Sequence, residues 1–101
     1  MTAVALVVRL QAKPGREDEL AGFLRDALPL VRDEPHTTAW IAIRFGDDQF
    51  GIVETFPNEA GRQDHLNGRV AAALLARADE LLASPPTIEP CTVLAQKLPG
   101  G

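Results

Sequence analysis

A carboxylate and a histidine are the side chains of this sequence best suited to acid–base chemistry. Glu54 is the only charge in the apolar run FGIVETF, and His65 follows in QDHLNG, on a predicted helix. A carboxylate in an apolar strand is costly to bury unless it is paired or protonated. A Glu54–His65 pair would raise the basicity of the imidazole and fix its tautomer, which makes both residues catalytic candidates. The alternatives are a structural hydrogen bond between strand and helix, or a His65 that bonds a carbonyl at the helix end.

Three further side chains are candidates for binding a small molecule. Trp40, the only tryptophan, would line a pocket or pack in a core or an interface. Arg44 lies on the same predicted strand and could hold an anionic oxygen, or pair with a carboxylate across a dimer. Arg9, on the first predicted strand, has the same two options. The second histidine, His36 in EPHTT, is predicted to be a loop residue.

Composition and charge exclude several kinds of partner and site. The net charge of −4 leaves no basic stripe, so we expect neither a nucleic acid nor a membrane as partner. Cys91 is the only cysteine, so no internal disulfide or thiolate metal site can form, and we expect a small buried hydrophobe there. No glycine-rich phosphate loop or His/Asp metal spacing appears, so we expect no metal and no cofactor.

The length of 101 residues suits one hydrophobic core, so we expect a single domain over residues 1–101. The opening MTAVALVVRL lacks the basic leader and the long apolar run of a signal peptide. No window reaches transmembrane length. The expected compartment is therefore the cytoplasm.

The elements that must position these residues follow from the hydrophobic periods. An apolar stripe and an acidic first turn predict a helix over residues 16–33, bent by Pro29 rather than broken. Asn58 is predicted to cap a short helix, which pauses at Asn67-Gly68 and resumes as a longer one. Alternating or β-rich runs predict the strands, and Pro90 suits a sheet edge. The predicted strands are residues 4–12, 38–45, 49–56 and 87–97.

The two middle strands form a predicted hairpin around the acidic segment Gly46-Asp47-Asp48. With Asp47-Asp48 at the turn centre, Phe45 faces Phe50 and Ile41 faces Glu54, which places Glu54 on the helix side. A slip of one residue would exchange the faces of the second strand. The residues expected on the opposite, open face are Trp40, Ala42, Arg44, Gly51, Val53 and Thr55.

The predicted order is β-α-β-β-α-β, a ferredoxin-like α+β fold with a four-stranded antiparallel sheet and helices on one face. The open face would carry Trp40, Ala42, Val53, Ala5 and Val7, which is too apolar to face water in a monomer. We therefore expect a homodimer that packs the two open faces together and encloses a barrel-like interior.

The sequence resembles the antibiotic biosynthesis monooxygenase family, whose members are dimeric α+β barrels. The matching segments are KPGREDEL after the first strand, EPHTTAW before the second, and FGIVETFPNEAGRQDHL, and the resemblance extends over about residues 4–98. The positions that match the family's strand tryptophan and helix histidine are Trp40 and His65. The asparagine that haem-degrading relatives carry on the first strand has no counterpart, since Val7, Val8 and Arg9 stand there.

The resemblance implies cofactor-free oxygenation of a phenolic, quinol or anthrone-like substrate, in a pocket between helices and sheet. A deprotonated quinol or anthrone reacts with oxygen directly, so the protein needs a dry cavity, a base and a group that holds the anion. His65 would be the base, oriented by Glu54, with Trp40 against the substrate and Arg44 or Arg9 on the oxyanion. The alternative is a non-catalytic dimer that binds a small ligand or serves as a scaffold.

Overall fold

The computed structural model of the protein describes residues 3–99. Four antiparallel strands form one sheet in the order β2-β3-β1-β4, so β1 and β3 are central and β2 and β4 are edges. The predicted α+β, ferredoxin-like arrangement is confirmed, with the second helix split in two. The elements are β1 (Val4–Gln11), α1 (Glu17–Arg32), β2 (Ala39–Arg44), β3 (Gln49–Phe56), α2 (Glu59–Leu66), α3 (Arg69–Leu81) and β4 (Thr87–Thr92).

The core lies between the sheet and the helices. Alternate residues of β1 and β3 point into it, because successive side chains of a strand face opposite sides. The apolar stripe of α1 and one side of α3 cover these residues. The main buried cluster contains Val8, Leu10, Ala12, Leu20, Leu24, Phe50, Ile52, Leu74, Leu81 and Leu82.

The ends of the helices follow the local sequence closely. The first turn of α1 is acidic, as its dipole favours, and the helix continues through the exposed Pro29 to Arg32. The side chain of Asn58 accepts a hydrogen bond of 2.9 Å from the backbone N–H of Gly61, so the predicted N-cap is confirmed. The pause at Asn67-Gly68 separates α2 from α3.

The register of the β2–β3 hairpin differs by one residue from the prediction. Trp40 lies opposite Glu54, and Ala42 lies opposite Ile52, so β2 is the strand whose faces are exchanged. Glu54 lies on the helix side as expected, but the prediction that Trp40, Ala42 and Arg44 lie on the open face was wrong. Trp40 and Ala42 pack against the core cluster, and Arg44 lies over the ring of Phe50. In this register the large indole ring is covered by the helices, and Ile41 is turned outward instead.

The face of the sheet away from the helices remains apolar despite the exchange. Its β2–β3 part carries Ile41, Ile43, Phe45 and Val53, which are 53%, 44%, 52% and 37% exposed. Phe45 lies over Gly51, where an added Cβ would come within 3.3 Å of the phenylalanine ring. We call the exposed set Ile41, Ile43, Phe45 and Val53 the open face.

The strand β4 forms the other edge of the sheet. Pro90 lies within it, as expected for a residue that cannot donate to a central ladder. Cys91 is half-buried rather than buried, because no further strand covers this edge. Among residues 3–99, no helix has both the length and the apolar character needed to cross a membrane.

Substitutions of two leucines in helices test where the core lies. Leu20 is fully buried and Leu75 is 59% exposed. We expect Leu20→Ala to lower the free energy of unfolding by about 2–5 kcal/mol, through lost burial and a residual cavity. The matched change Leu75→Ala should cost less than about 1 kcal/mol. Urea denaturation followed by circular dichroism measures both, and equal losses would contradict this placement of the core.

Candidate functional site

A buried cluster of three ionisable side chains joins the sheet to two helical segments. His65 comes from the last turn of α2, Glu54 from the middle of β3, and Glu34 from the turn that follows α1. Only 5% of the His65 side chain and 3% of the Glu54 side chain are exposed, against 19% for Glu34. The structure thus brings together the predicted pair Glu54 and His65, and adds a second carboxylate.

Both ring nitrogens of His65 are occupied by carboxylate oxygens. Nδ1 is 2.6 Å from Oε1 of Glu34, and Nε2 is 2.9 Å from Oε2 of Glu54. The second contact has ion-pair distance, but the Glu54 oxygen lies off the direction of the N–H bond and gains no aligned hydrogen bond. The ring also packs on Phe56, with 5.3 Å between the ring centroids. These contacts fix the orientation of the imidazole.

Glu34 is the member of the cluster that sequence reasoning missed. Its Oε1 also accepts a hydrogen bond of 2.8 Å from the hydroxyl of Thr37, which orients the carboxylate toward His65. The signal was present in the sequence, because a carboxylate just beyond the C-terminus of a helix is disfavoured by the helix dipole unless it is paired. The sequence did not identify the partner of this carboxylate, because His65 lies on a different helix.

The surroundings of His65 favour the charged imidazolium. Burial lowers the pKa of the imidazole, but the contacts and negative charges of Glu54 and Glu34 outweigh burial and raise the pKa to about 9. At neutral pH the ring is therefore mainly protonated, and both nitrogens carry hydrogen.

A small inner cavity of about 30 Å³ adjoins the cluster, and both Glu54 and His65 line it. Trp40 lines the same cavity from β2, and the other lining residues are mostly apolar. Among residues 3–99, the buried side-chain atoms without a hydrogen-bond partner are Nε1 of Trp40 and Oε2 of Glu54. The volume suffices for a water-sized molecule. The indole N–H of Trp40 is thus left without a hydrogen-bond partner, and the Glu54 oxygen has only its ion-pair contact with His65.

A second, larger depression of about 430 Å³ lies between α1 and the edge strand β2, and we call it the groove. Trp40 and Leu24 line both the groove and the inner cavity, so their side chains form the shared wall. Arg44 lines the groove, where its guanidinium lies 5.0 Å from the ring centroid of Phe50 and donates to the carbonyl of Asp47. The groove is large enough for a ring system, whereas the inner cavity is not.

The structure does not bring Arg9 to this site. Arg9 is exposed and alternates with the buried Val8 and Leu10 of β1, so it lies on the side of the sheet away from the helices. His36 is an exposed residue of the loop before β2, as predicted, with its Nε2 3.6 Å from Oδ2 of Asp64. Within residues 3–99, no group of three or more His, Cys, Asp or Glu side chains is arranged to hold a metal ion.

Solved structures of low sequence identity share this fold. A structure described as an antibiotic biosynthesis monooxygenase has a TM-score of 0.79 and 16% identity, over 91% of this chain and 99% of its own. A protein from Caulobacter crescentus, provisionally named an antibiotic biosynthesis monooxygenase, has a TM-score of 0.81 and 18% identity, over 93% and 92% of the two chains. The resemblance to these monooxygenases is thereby confirmed at the level of the fold.

A nearer relative defines the family. The NE2512 protein of Nitrosomonas europaea, a protein of unknown function, is 58% identical, with a TM-score of 0.96 over 100% of this chain and 98% of its own. The chain therefore belongs to the family of that protein. No protein-family model and no curated protein matches the chain.

The charge of His65 should make stability depend on pH. Because the pKa is raised from 6.5 to about 9 in the folded state, the stabilisation is complete below pH 6.5 and lost as the pH rises to about 9. We expect a loss of up to about 3 kcal/mol of unfolding free energy over this window. Glu34→Gln keeps an acceptor for Nδ1 but removes a charge, so it should lower the His65 pKa and shrink the loss.

Asp33→Asn is the matched control, since it removes an exposed neighbouring charge that pairs with Arg69 rather than with His65. Urea denaturation between pH 6 and 9 measures the stabilities, and NMR of the imidazole nitrogens measures the pKa directly. Titration of His65 near pH 6.5 in the unaltered protein would contradict the argument.

Proposed function

We propose that the protein is a cofactor-independent monooxygenase of the antibiotic biosynthesis type that oxidises a quinol- or anthrone-like aromatic molecule with O₂. The observation that carries this proposal is the buried Glu54–His65 pair beside a small, mostly apolar cavity between helices and sheet. The fold shared with proteins named for this activity supports it by analogy.

The reaction needs no redox group from the protein. Removal of a proton from an anthrone leaves a resonance-stabilised carbanion that gives its electrons to O₂. One oxygen atom becomes the carbonyl oxygen of the product, and the other leaves as water with the two hydrogens lost from the ring carbon. Oxygen is the oxidant and the substrate is the reductant, so the equation balances. The protein supplies proton transfer, orientation and exclusion of water.

The charge state of His65 assigns the roles within the pair. An imidazolium with two N–H groups has no lone pair, so at neutral pH it cannot take the proton of the substrate. Oε2 of Glu54 is buried without an aligned hydrogen bond, and we assign it as the proton acceptor. His65 then supplies the positive charge that stabilises the substrate anion, and Glu34 keeps it protonated.

The groove provides the route for the ring system. An aromatic molecule exceeds the inner cavity of about 30 Å³ but fits the groove of about 430 Å³. Its reacting edge would reach Glu54 past the wall that Trp40 and Leu24 form, which requires the indole to swing aside. Arg44 would hold the far end of the substrate. In this arrangement Trp40 packs on the substrate, while Arg9, on the other side of the sheet, has no contact with it.

The second candidate is a non-catalytic protein of the same fold. The closed inner cavity and the occupation of both His65 nitrogens favour it, because a salt-bridged cluster can serve only to tie β3, α2 and the turn after α1 together. In that case the groove binds a ligand without turnover, or the protein is a scaffold.

The two candidates differ in the response of oxygen uptake to Glu54→Gln, a nearly isosteric change. With a hydroquinone or anthrone as substrate, we expect kcat to fall by about 100-fold or more. His36→Gln, at the exposed histidine, should leave kcat within about twofold. An oxygen electrode measures both rates. No oxygen uptake by the unaltered protein with any member of a quinol and anthrone panel would favour the non-catalytic candidate.

The pH profile of the same reaction separates the two possible roles of His65. As a cation, His65 is active in its protonated form, so kcat should fall as the pH rises through about 9. As a base, it would be active only when deprotonated, and kcat would rise through the same range. The measurement is kcat from pH 6 to 10. An increase of kcat with pH near pH 9 would show that His65 is the base.

We also propose that the protein is a homodimer built on the open face. Four exposed apolar side chains on one flat surface are the support, and packing two such sheets together would cover them. The dimer would be isologous, with the same patch used by both subunits.

The dimer is tested by placing a charge on the open face. Ile43→Glu should convert a dimer into a monomer, because a carboxylate without a partner resists burial. Leu75→Glu, at an exposed leucine of α3, is the matched control and should remain dimeric. Size-exclusion chromatography with light scattering gives the masses. A monomeric unaltered protein, or a dimeric Ile43→Glu variant, would reject this interface.

A further inference from the structure

The groove combines an apolar floor with two cationic side chains. Its walls come from one stripe of α1, with Ala21, Leu24, Arg25 and Leu28, and from the β2 residues 40–44 with Phe50 behind them. Along β2, Trp40 and Arg44 are four residues apart, which is about 13 Å in an extended strand. The indole therefore marks one end of the groove and the guanidinium the other.

Among residues 3–99, four of the eight arginines have no carboxylate within ion-pair distance, and two of these four, Arg25 and Arg44, line the groove, whereas Arg9 and Arg32 do not. The arginines that have such a carboxylate are Arg16, Arg62, Arg69 and Arg77. Arg44 is nevertheless held in place by the ring of Phe50 and the carbonyl of Asp47. An anionic group would supply the missing charge.

We infer that the groove binds an aromatic molecule that carries a permanent anionic group such as a carboxylate or sulfonate. The aromatic body would lie on Trp40, Leu24 and Leu28, and the anion would lie against Arg44 and Arg25, since guanidinium groups bind planar oxyanions well. Binding of such a molecule does not depend on the proposed function. Only its identification as the substrate rests on that proposal. A neutral ring system would fill the same apolar surface and leave both cations without a partner.

A matched pair of probes tests the inference without turnover. 1-Anilinonaphthalene-8-sulfonate and N-phenyl-1-naphthylamine share the same aromatic rings, and only the first carries a charge. Trp40 is the only tryptophan and the chain has no tyrosine, so energy transfer from Trp40 to either probe reports binding to the protein, and the arginine variants locate the site. We expect the sulfonate probe to bind at least about tenfold more tightly than the neutral one.

Arginine variants test whether the sulfonate of the probe lies against Arg25 and Arg44. The double variant Arg25→Gln and Arg44→Gln should abolish the preference, by weakening the sulfonate probe about tenfold and leaving the neutral probe within about twofold. Arg32→Gln, at an exposed arginine of α1 outside the groove, is the matched control and should keep the preference. Equal affinities for the two probes, or a preference that survives the double change, would overturn the inference. Probe binding that appears only as the protein dissociates on dilution would place a second copy in the groove and also overturn it.

The outcome for the proposed function is read separately, from oxygen uptake. A charge preference without turnover of any quinol or anthrone would keep the ligand class and reject the monooxygenase. Turnover that is equally fast for neutral and carboxylated substrates would keep the monooxygenase and reject the anionic ligand.

Discussion

The charged cluster of Glu34, His65 and Glu54 is the interaction on which the site depends. A carboxyl group that is 3% exposed must be protonated or lie beside a positive charge, and the group that can supply this charge, His65, is held between two carboxylates. The arrangement requires β3, α2 and the turn after α1 to be in place together. The cluster therefore links the assembly of the fold to the charge state of the candidate site, and the loss of His65 would leave the buried Glu54 without its positive partner.

Trp40 links the same site to the surface. Because it lies opposite Glu54 and faces the helices, its ring forms part of the wall between the groove and the inner cavity. The indole nitrogen and the Glu54 oxygen are left without aligned partners inside that wall. Unused hydrogen-bonding capacity of this kind is costly in a purely structural core, which is the physical reason to regard the enclosure as a binding site.

The hairpin register shows which strand faces an alternating sequence pattern can assign and which it cannot. On β3, Phe50, Ile52 and Glu54 were assigned correctly to the helix side, because the alternating pattern and the fold agreed. On β2, both faces are apolar, with Trp40 and Ala42 on one and Ile41 and Ile43 on the other. Alternation therefore gave no preference, and a one-residue change in the turn exchanged the faces. The expectation of an apolar open face survived the error for the same reason.

The sequence by itself determined the order of elements, the cap at Asn58 and the edge position of Pro90, because each depends on local propensity or on the period of a single element. The alternation of β3 placed Glu54 on the helix side, but its contact with His65 came from the packing of α2 on β3. Tertiary structure decided the rest. Glu34 joined the cluster only because the turn after α1 meets α2, and Arg25 and Arg44 line one groove only because α1 lies along the edge of β2. Contacts between side chains distant in sequence depend on how the elements pack, and no local pattern records that packing.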